Sequence, residues 1–265
     1  MKTHALSLFC GLVSIATTQA ANIYFISFHS ADNTPSAAAA TAMFTNAPDV
    51  GYTQLLAANG HTVTRVVSSD LPNATLLNAA DLVIISRSVP SGHYELDAET
   101  AAWNGITAPV MILGGYILRN NRLGYTTGTT IPDVSTNSVR LRAAHPGHPI
   151  FNGVALDASG TMVNPYARAV FHTNFLQRGI SVNSNPLAGN GTILGVVGSP
   201  GDAAFNGTII AEWHAGATMA TTPADTLGGR RLVFLTGSRE NNGLTSEAAG
   251  IYDLEPDGAC RPGAA

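Results

Sequence analysis

Four short apolar runs in the first half of the chain, each followed by a stretch able to form a helix, constrain the fold more than any other feature. Residues 22–28, 62–67, 81–86 and 109–113 are rich in β-branched and aromatic side chains, as strands buried on both faces must be. Between them lie helix-compatible stretches at 37–44, at 50–59 with Gly60 as a stop, at 74–80 and at 96–104,. A β-α-β-α-β-α-β order implies parallel strands joined by right-handed crossovers. It predicts an α/β fold with an open, mostly parallel, flavodoxin-like sheet and helices on both faces.

The second half is less regular. Strands are expected at 139–142, 192–197, 208–214 and 231–236, with a turn beginning at His148-Pro-Ile-Phe151. No repeat or linker divides these segments, and 265 residues suit one large core. Residues 21–255 are therefore expected to form a single domain, with 256–265 a disordered tail. With 11% charged and 45% hydrophobic residues, 27 Gly and 14 Pro, the composition disfavours a coiled coil or a wholly disordered chain. A net charge of −4 without a Lys/Arg-rich run argues against a nucleic-acid partner.

Met1 and Lys2 precede an apolar stretch that ends in Ala16-Thr-Thr-Gln-Ala20, the pattern of an export signal cut after Ala20. The run is too short for a bilayer span of about 20 residues, so the mature protein is expected to be secreted or periplasmic and not held in a membrane. Removal of the signal takes Cys10 and leaves Cys260 as the only thiol, which excludes an internal disulfide.

Ligands of an open parallel sheet bind beyond the carboxyl ends of its strands. That rule selects the loops at 29–36, 87–94, 114–122 and 238–242, and with them His29, Asp32, Arg87, Ser91, Tyr116 and Arg239 as substrate-binding candidates and His93 and Glu240 as catalytic ones. Glu212 and His214, two apart on one strand, point to the same side and complete the catalytic set. They can act as a carboxylate-oriented base or, with His29 and Asp32, as ligands of a divalent metal. An ordinary hydrogen-bonded pair at a strand end is the commoner meaning of such spacing. Ser91 and His93 equally suit a polar turn, and Arg239-Glu240 a solvated loop. The sequence carries no G-x-S-x-G, H-E-x-x-H, C-x-x-C, Walker A or G-x-G-x-x-G motif, so no nucleotide cofactor is expected.

The first strand with His29, Leu82-Val-Ile-Ile85, Val110-Met-Ile-Leu-Gly-Gly-Tyr116, His148-Pro-Ile-Phe-Asn-Gly153 and Leu232-Val-Phe-Leu-Thr-Gly237 together resemble the class I glutamine-amidotransferase-like superfamily. The nearest likeness is to its trehalose-utilisation-like branch and related exported bacterial proteins. The resemblance implies a cysteine nucleophile at the turn after residues 110–113, where this chain has Gly114-Gly-Tyr116. A phenol with an ordinary pKa near 10 is a poor substitute for a thiolate, so cysteine-dependent glutamine hydrolysis is not expected. The resemblance also implies a closing helix after the last strand, which the prolines and glycines of 256–265 oppose.

Two functions follow as expectations. One is a secreted hydrolase-like enzyme acting on a small polar or carbohydrate-type substrate at the carboxyl edge of the sheet. The other is a non-catalytic exported module that binds a glycan or a protein through the same cleft.

Overall fold

The computed structural model describes residues 20–41, 45–132, 138–163, 166–167, 180–198, 200–201 and 204–236. The segment 1–20 expected to be an export signal (apart from Ala20), the loop at 238–242 with Arg239 and Glu240, and the tail at 256–265 lie outside the described residues.

The chain alternates as the sequence predicts: β1 (Asn22–Ser27), α1 (Ala37–Thr41), α2 (Val50–Ala58), β2 (Thr62–Val67), α3 (Ala74–Leu77), β3 (Leu82–Ile85), α4 (Asp97–Asn104) and β4 (Val110–Ile112). Then follow β5 (Ser138–Val139), β6 (Leu141–Ala143), β7 (Tyr166–Ala167), β8 (Thr192–Val197), β9 (Thr208–Trp213) and β10 (Arg231–Phe234). Eight strands form one sheet in the order β2-β1-β3-β4-β10-β9-β8-β6, and β5 pairs separately with β7.

From β2 to β10 the strands run parallel, with the doubly wound order in which the first strand lies between the second and third. From β10 onward the sheet turns antiparallel through β9, β8 and β6. The mostly parallel α/β expectation therefore holds, with an antiparallel extension added at one side. The links explain it. The described residues of 198–207 and the whole of 214–230 contain no helix, and a parallel crossover usually needs one.

Alternation along the central strands sends apolar side chains to both faces. Ile23, Phe25, Ile84 and Leu113 pack beneath Tyr52 and Leu56 of α2. On the other face Ile26, Val83, Ile85, Val110 and Ile112 pack with Leu77 of α3 and Trp103 of α4 in the larger core. Burying a side chain of this size contributes about 1.5–3 kcal/mol, so this two-sided core anchors the strand ends from which the rim loops leave.

Candidate functional site

The carboxyl ends of β1, β3 and β4 bring three loops together, as the parallel order requires. Beneath them lies a buried polar cluster. Asp49, fully buried just before α2, accepts hydrogen bonds from Ser27 Oγ at 2.7 Å, Ser86 Oγ at 2.6 Å and Ser88 Oγ at 2.9 Å. Arg65 Nη1 of β2 completes its shell at 2.8 Å. Burial pushes the Asp49 carboxyl up, but the Arg65 charge with the Ser86 and Ser27 hydroxyls outweighs that and holds it below the ordinary value,. Arg65 Nε also reaches Asp32 at 2.7 Å, where Thr53 donates a second bond. Asp32 thus ties the loop after β1 to β2 and α2.

Around this base stands a donor-rich rim. Arg87, only 2% exposed, follows β3, and its Nη2 donates to Ser181 Oγ at 3.1 Å. Its guanidinium lies 4.8 Å from the ring centroid of Tyr116, and that of Arg119 lies 5.5 Å from the same ring, both within cation–π range. Arg119 Nε donates to the Tyr116 carbonyl at 2.8 Å, and its Nη2 reaches Ser91 Oγ at 3.4 Å. Gly115 allows the turn after β4 to close. A Cβ there would stand 1.7 Å from the Ser181 carbonyl oxygen.

His93 occupies the turn Ser91–Tyr94 with Ser91. Its Nδ1 lies 3.0 Å from Ser68 Oγ and its Nε2 3.7 Å from an Asp70 carboxylate oxygen. The set has the composition of a serine-hydrolase triad but not its geometry. Ser68 is 6% exposed and its hydroxyl is shared with Tyr94 at 3.3 Å, whereas an attacking hydroxyl must face the substrate. His29 is buried against the rim from the β1 side, its Nδ1 2.9 Å from the Thr34 carbonyl oxygen.

The rim expected from the sequence thus includes His29, Asp32, Arg87, Ser91, His93 and Tyr116, with Asp32 engaged in holding the loop. Glu212 and His214 are not part of it, which corrects the single-cleft expectation. Strand β9 runs antiparallel to β10, with Glu212 opposite Leu232 and Trp213 opposite Arg231. The end of β9 therefore reaches the amino edge of the parallel strands, away from Tyr116. There Glu212 is bonded to Arg230, and this bond is the main reason its carboxyl lies below the ordinary value. His148 Nε2 lies 3.6 Å from its other oxygen, and the His148 and His214 imidazoles both add smaller lowering contributions to its carboxyl. His29 and Asp32 cannot share a metal with Glu212 and His214 across that separation. Among the described residues no three His, Cys, Asp or Glu side chains gather as a metal site would require.

Arg119, Ser181 and the Asp49 cluster were not foreseen. Arg119 lay within a loop that the strand-end rule selects, and its positive charge in a charge-poor chain was a usable signal. Ser181 carried none, because the contact with Arg87 joins residues 94 apart.

No family model matches the sequence, nor does any curated protein. Among solved structures the chain is similar to a protein of Bacteroides uniformis described as ThuA-like, at 13% identity and a TM-score of 0.42, over 84% of this chain and 83% of that one.

Proposed function

We propose that this is an exported protein whose carboxyl rim takes a small polar, carbohydrate-type ligand rich in hydrogen-bond acceptors. The observation that carries the reading is the convergence of Arg87 and Arg119 on the half-buried Tyr116, at the strand-end position where this sheet type binds ligands. Guanidinium groups present several fixed N–H donors, suited to sugar hydroxyls and above all to sugar carboxylates. Ser91 adds a partly exposed hydroxyl beside Arg119, whereas Arg87 and Ser181, 2% and 1% exposed, hold the Tyr116 turn from behind. Binding is the reading supported best, since the serine–histidine contact at the rim, Ser68 with His93, buries its hydroxyl.

Hydrolysis of the bound ligand is the second reading, and His93 favours it. Its ring is partly exposed and sits between Ser68 and Asp70, so it can move a proton to or from a ligand on the rim. Calorimetric titration with a panel of neutral saccharides and uronates tests both. The expected result is binding that weakens about tenfold or more in Tyr116→Ala and Arg119→Met, the loss of one or two hydrogen bonds to a charged donor. Equal affinity in both variants would overturn the proposal. Products appearing from a bound saccharide, and disappearing in His93→Gln with affinity kept, would establish the hydrolytic reading.

A further inference from the structure

Adjoining the rim loop at 114–122 but lined by none of the rim residues named above, a cavity of about 300 Å³ opens on the flank of α4, between its first turn and the segments at 120–122 and 220–222. That volume is at the lower end of small-molecule sites and suits a ligand of monosaccharide size. Its charged lining is Glu95, Asp97 and Arg122, accompanied by the amides of Asn120 and Asn121 and the hydroxyls of Thr100, Thr221 and Thr222.

The donors and acceptors are held in place. Arg122 Nη2 pairs with Glu95 at 2.8 Å, and Nη1 donates to the Asn121 carbonyl at 2.6 Å. Arg122 Nε is buried with no hydrogen-bond partner among the described residues, a donor whose desolvation is uncompensated until something accepts from it. Asp97 opens α4 and is exposed, so its carboxylate remains an acceptor. Each hydroxyl of a polyol both donates and accepts. A wall that alternates carboxylates, which only accept, with a guanidinium, which only donates, and amides that do both, matches such a group pair by pair. Two carboxylates against one guanidinium leave the lining with an excess negative charge, which disfavours phosphorylated or carboxylated sugars.

We propose that this cavity is a second binding site, distinct from the rim, for a neutral polyol of monosaccharide size. The site does not depend on the reading of the rim.

The test is calorimetric titration of the full chain with neutral hexoses, pentoses and alditols, and with hexose 6-phosphates, up to about 100 mM, the range of weak single-sugar binding. At least one neutral polyol should bind, and the phosphates should not. Affinity should fall about tenfold in Arg122→Met and in Asp97→Asn, as expected for loss of a charge-assisted hydrogen bond. It should stay unchanged in Thr64→Ala, an exposed position of β2 outside both sites. Asp97 is exposed at a helix start, so Asp97→Asn carries the test should Arg122→Met unfold. Absence of binding by every neutral polyol overturns the proposal, as does binding indifferent to Asp97→Asn or preference for the phosphate esters. Loss only in Arg119→Met would assign the sugar to the rim and equally overturn the second site.

Discussion

Arg231 shows at the scale of a residue how a buried polar group can serve the fold without taking part in chemistry. It begins β10 and is 1% exposed, yet among the described residues it pairs with carbonyls and a phenol and with no carboxylate. Its Nη2 donates to the carbonyls of Asn104 at 2.9 Å and Ile106 at 2.7 Å, its Nη1 to Ala108 at 3.3 Å, and its Nε to the Tyr125 hydroxyl at 3.2 Å. These carbonyls lie at the end of α4 and in the link to β4, where a helix leaves its last acceptors unpaired. The planar fork of arginine meets several at once, which the single ammonium of lysine does not. Arg231→Met should cost about 3–5 kcal/mol in urea unfolding, because several buried carbonyls lose their donors together. Arg231→Lys should recover only part of that. A loss under about 1 kcal/mol for Arg231→Met, the scale of one surface hydrogen bond, would show that water replaces the guanidinium.

At the scale of elements, the turn after β4 and the antiparallel extension show what was legible and what was not. Strand positions were readable almost to the residue, since β1, β2, β8 and β9 are runs whose apolar content leaves few alternatives,. Strand direction was less so, although the helix-free links on either side of β9 carried the signal. Misjudging that direction misplaced Glu212 and His214, because residue alternation specifies a side of the sheet and says nothing of which end. Contacts between distant segments were not readable at all. The glycine pair after β4 was noticed as a turn, but the need for Gly115 comes from the backbone of Ser181 packing against it. Gly115→Ala should therefore destabilise the protein by about 1–3 kcal/mol, the usual cost of overpacking, and weaken ligand binding at the rim by displacing Ser181 from Arg87. Gly92→Ala, with open space around its added methyl, should stay within about 0.5 kcal/mol of wild type. Thermal unfolding of the two variants side by side checks both expectations.

For the whole molecule, the Asp49 cluster couples the strand ends, α2 and the rim to a single buried charge. Ser27 follows from β1, Ser86 and Ser88 from the end of β3, and Arg65 from β2, so three neighbouring strands are tied through one carboxylate. Its folded pKa is lowered below the value of 3.8 for a free aspartate. A group whose folded pKa is depressed contributes stability that is present above the unfolded value and is lost as pH falls through the folded one. The contribution should be complete at neutral pH and decline below about pH 4, where the unfolded chain begins to take up a proton that the folded one resists. Asp49→Asn removes the charge and leaves Arg65 beside an amide, a loss of about 3–5 kcal/mol at neutral pH when one partner of a buried ion pair is deleted. The stability difference between wild type and Asp49→Asn should then shrink as the pH is lowered from 5 towards 2. Denaturant titrations at fixed pH steps measure that difference directly, and comparison of the two proteins cancels the titration of Glu212 and Asp157, whose carboxyls are also held low. A difference that stays constant across this range would mean that the cluster is held by its hydroxyls and packing, with the Asp49 charge contributing nothing to the joining of the strands beneath the rim.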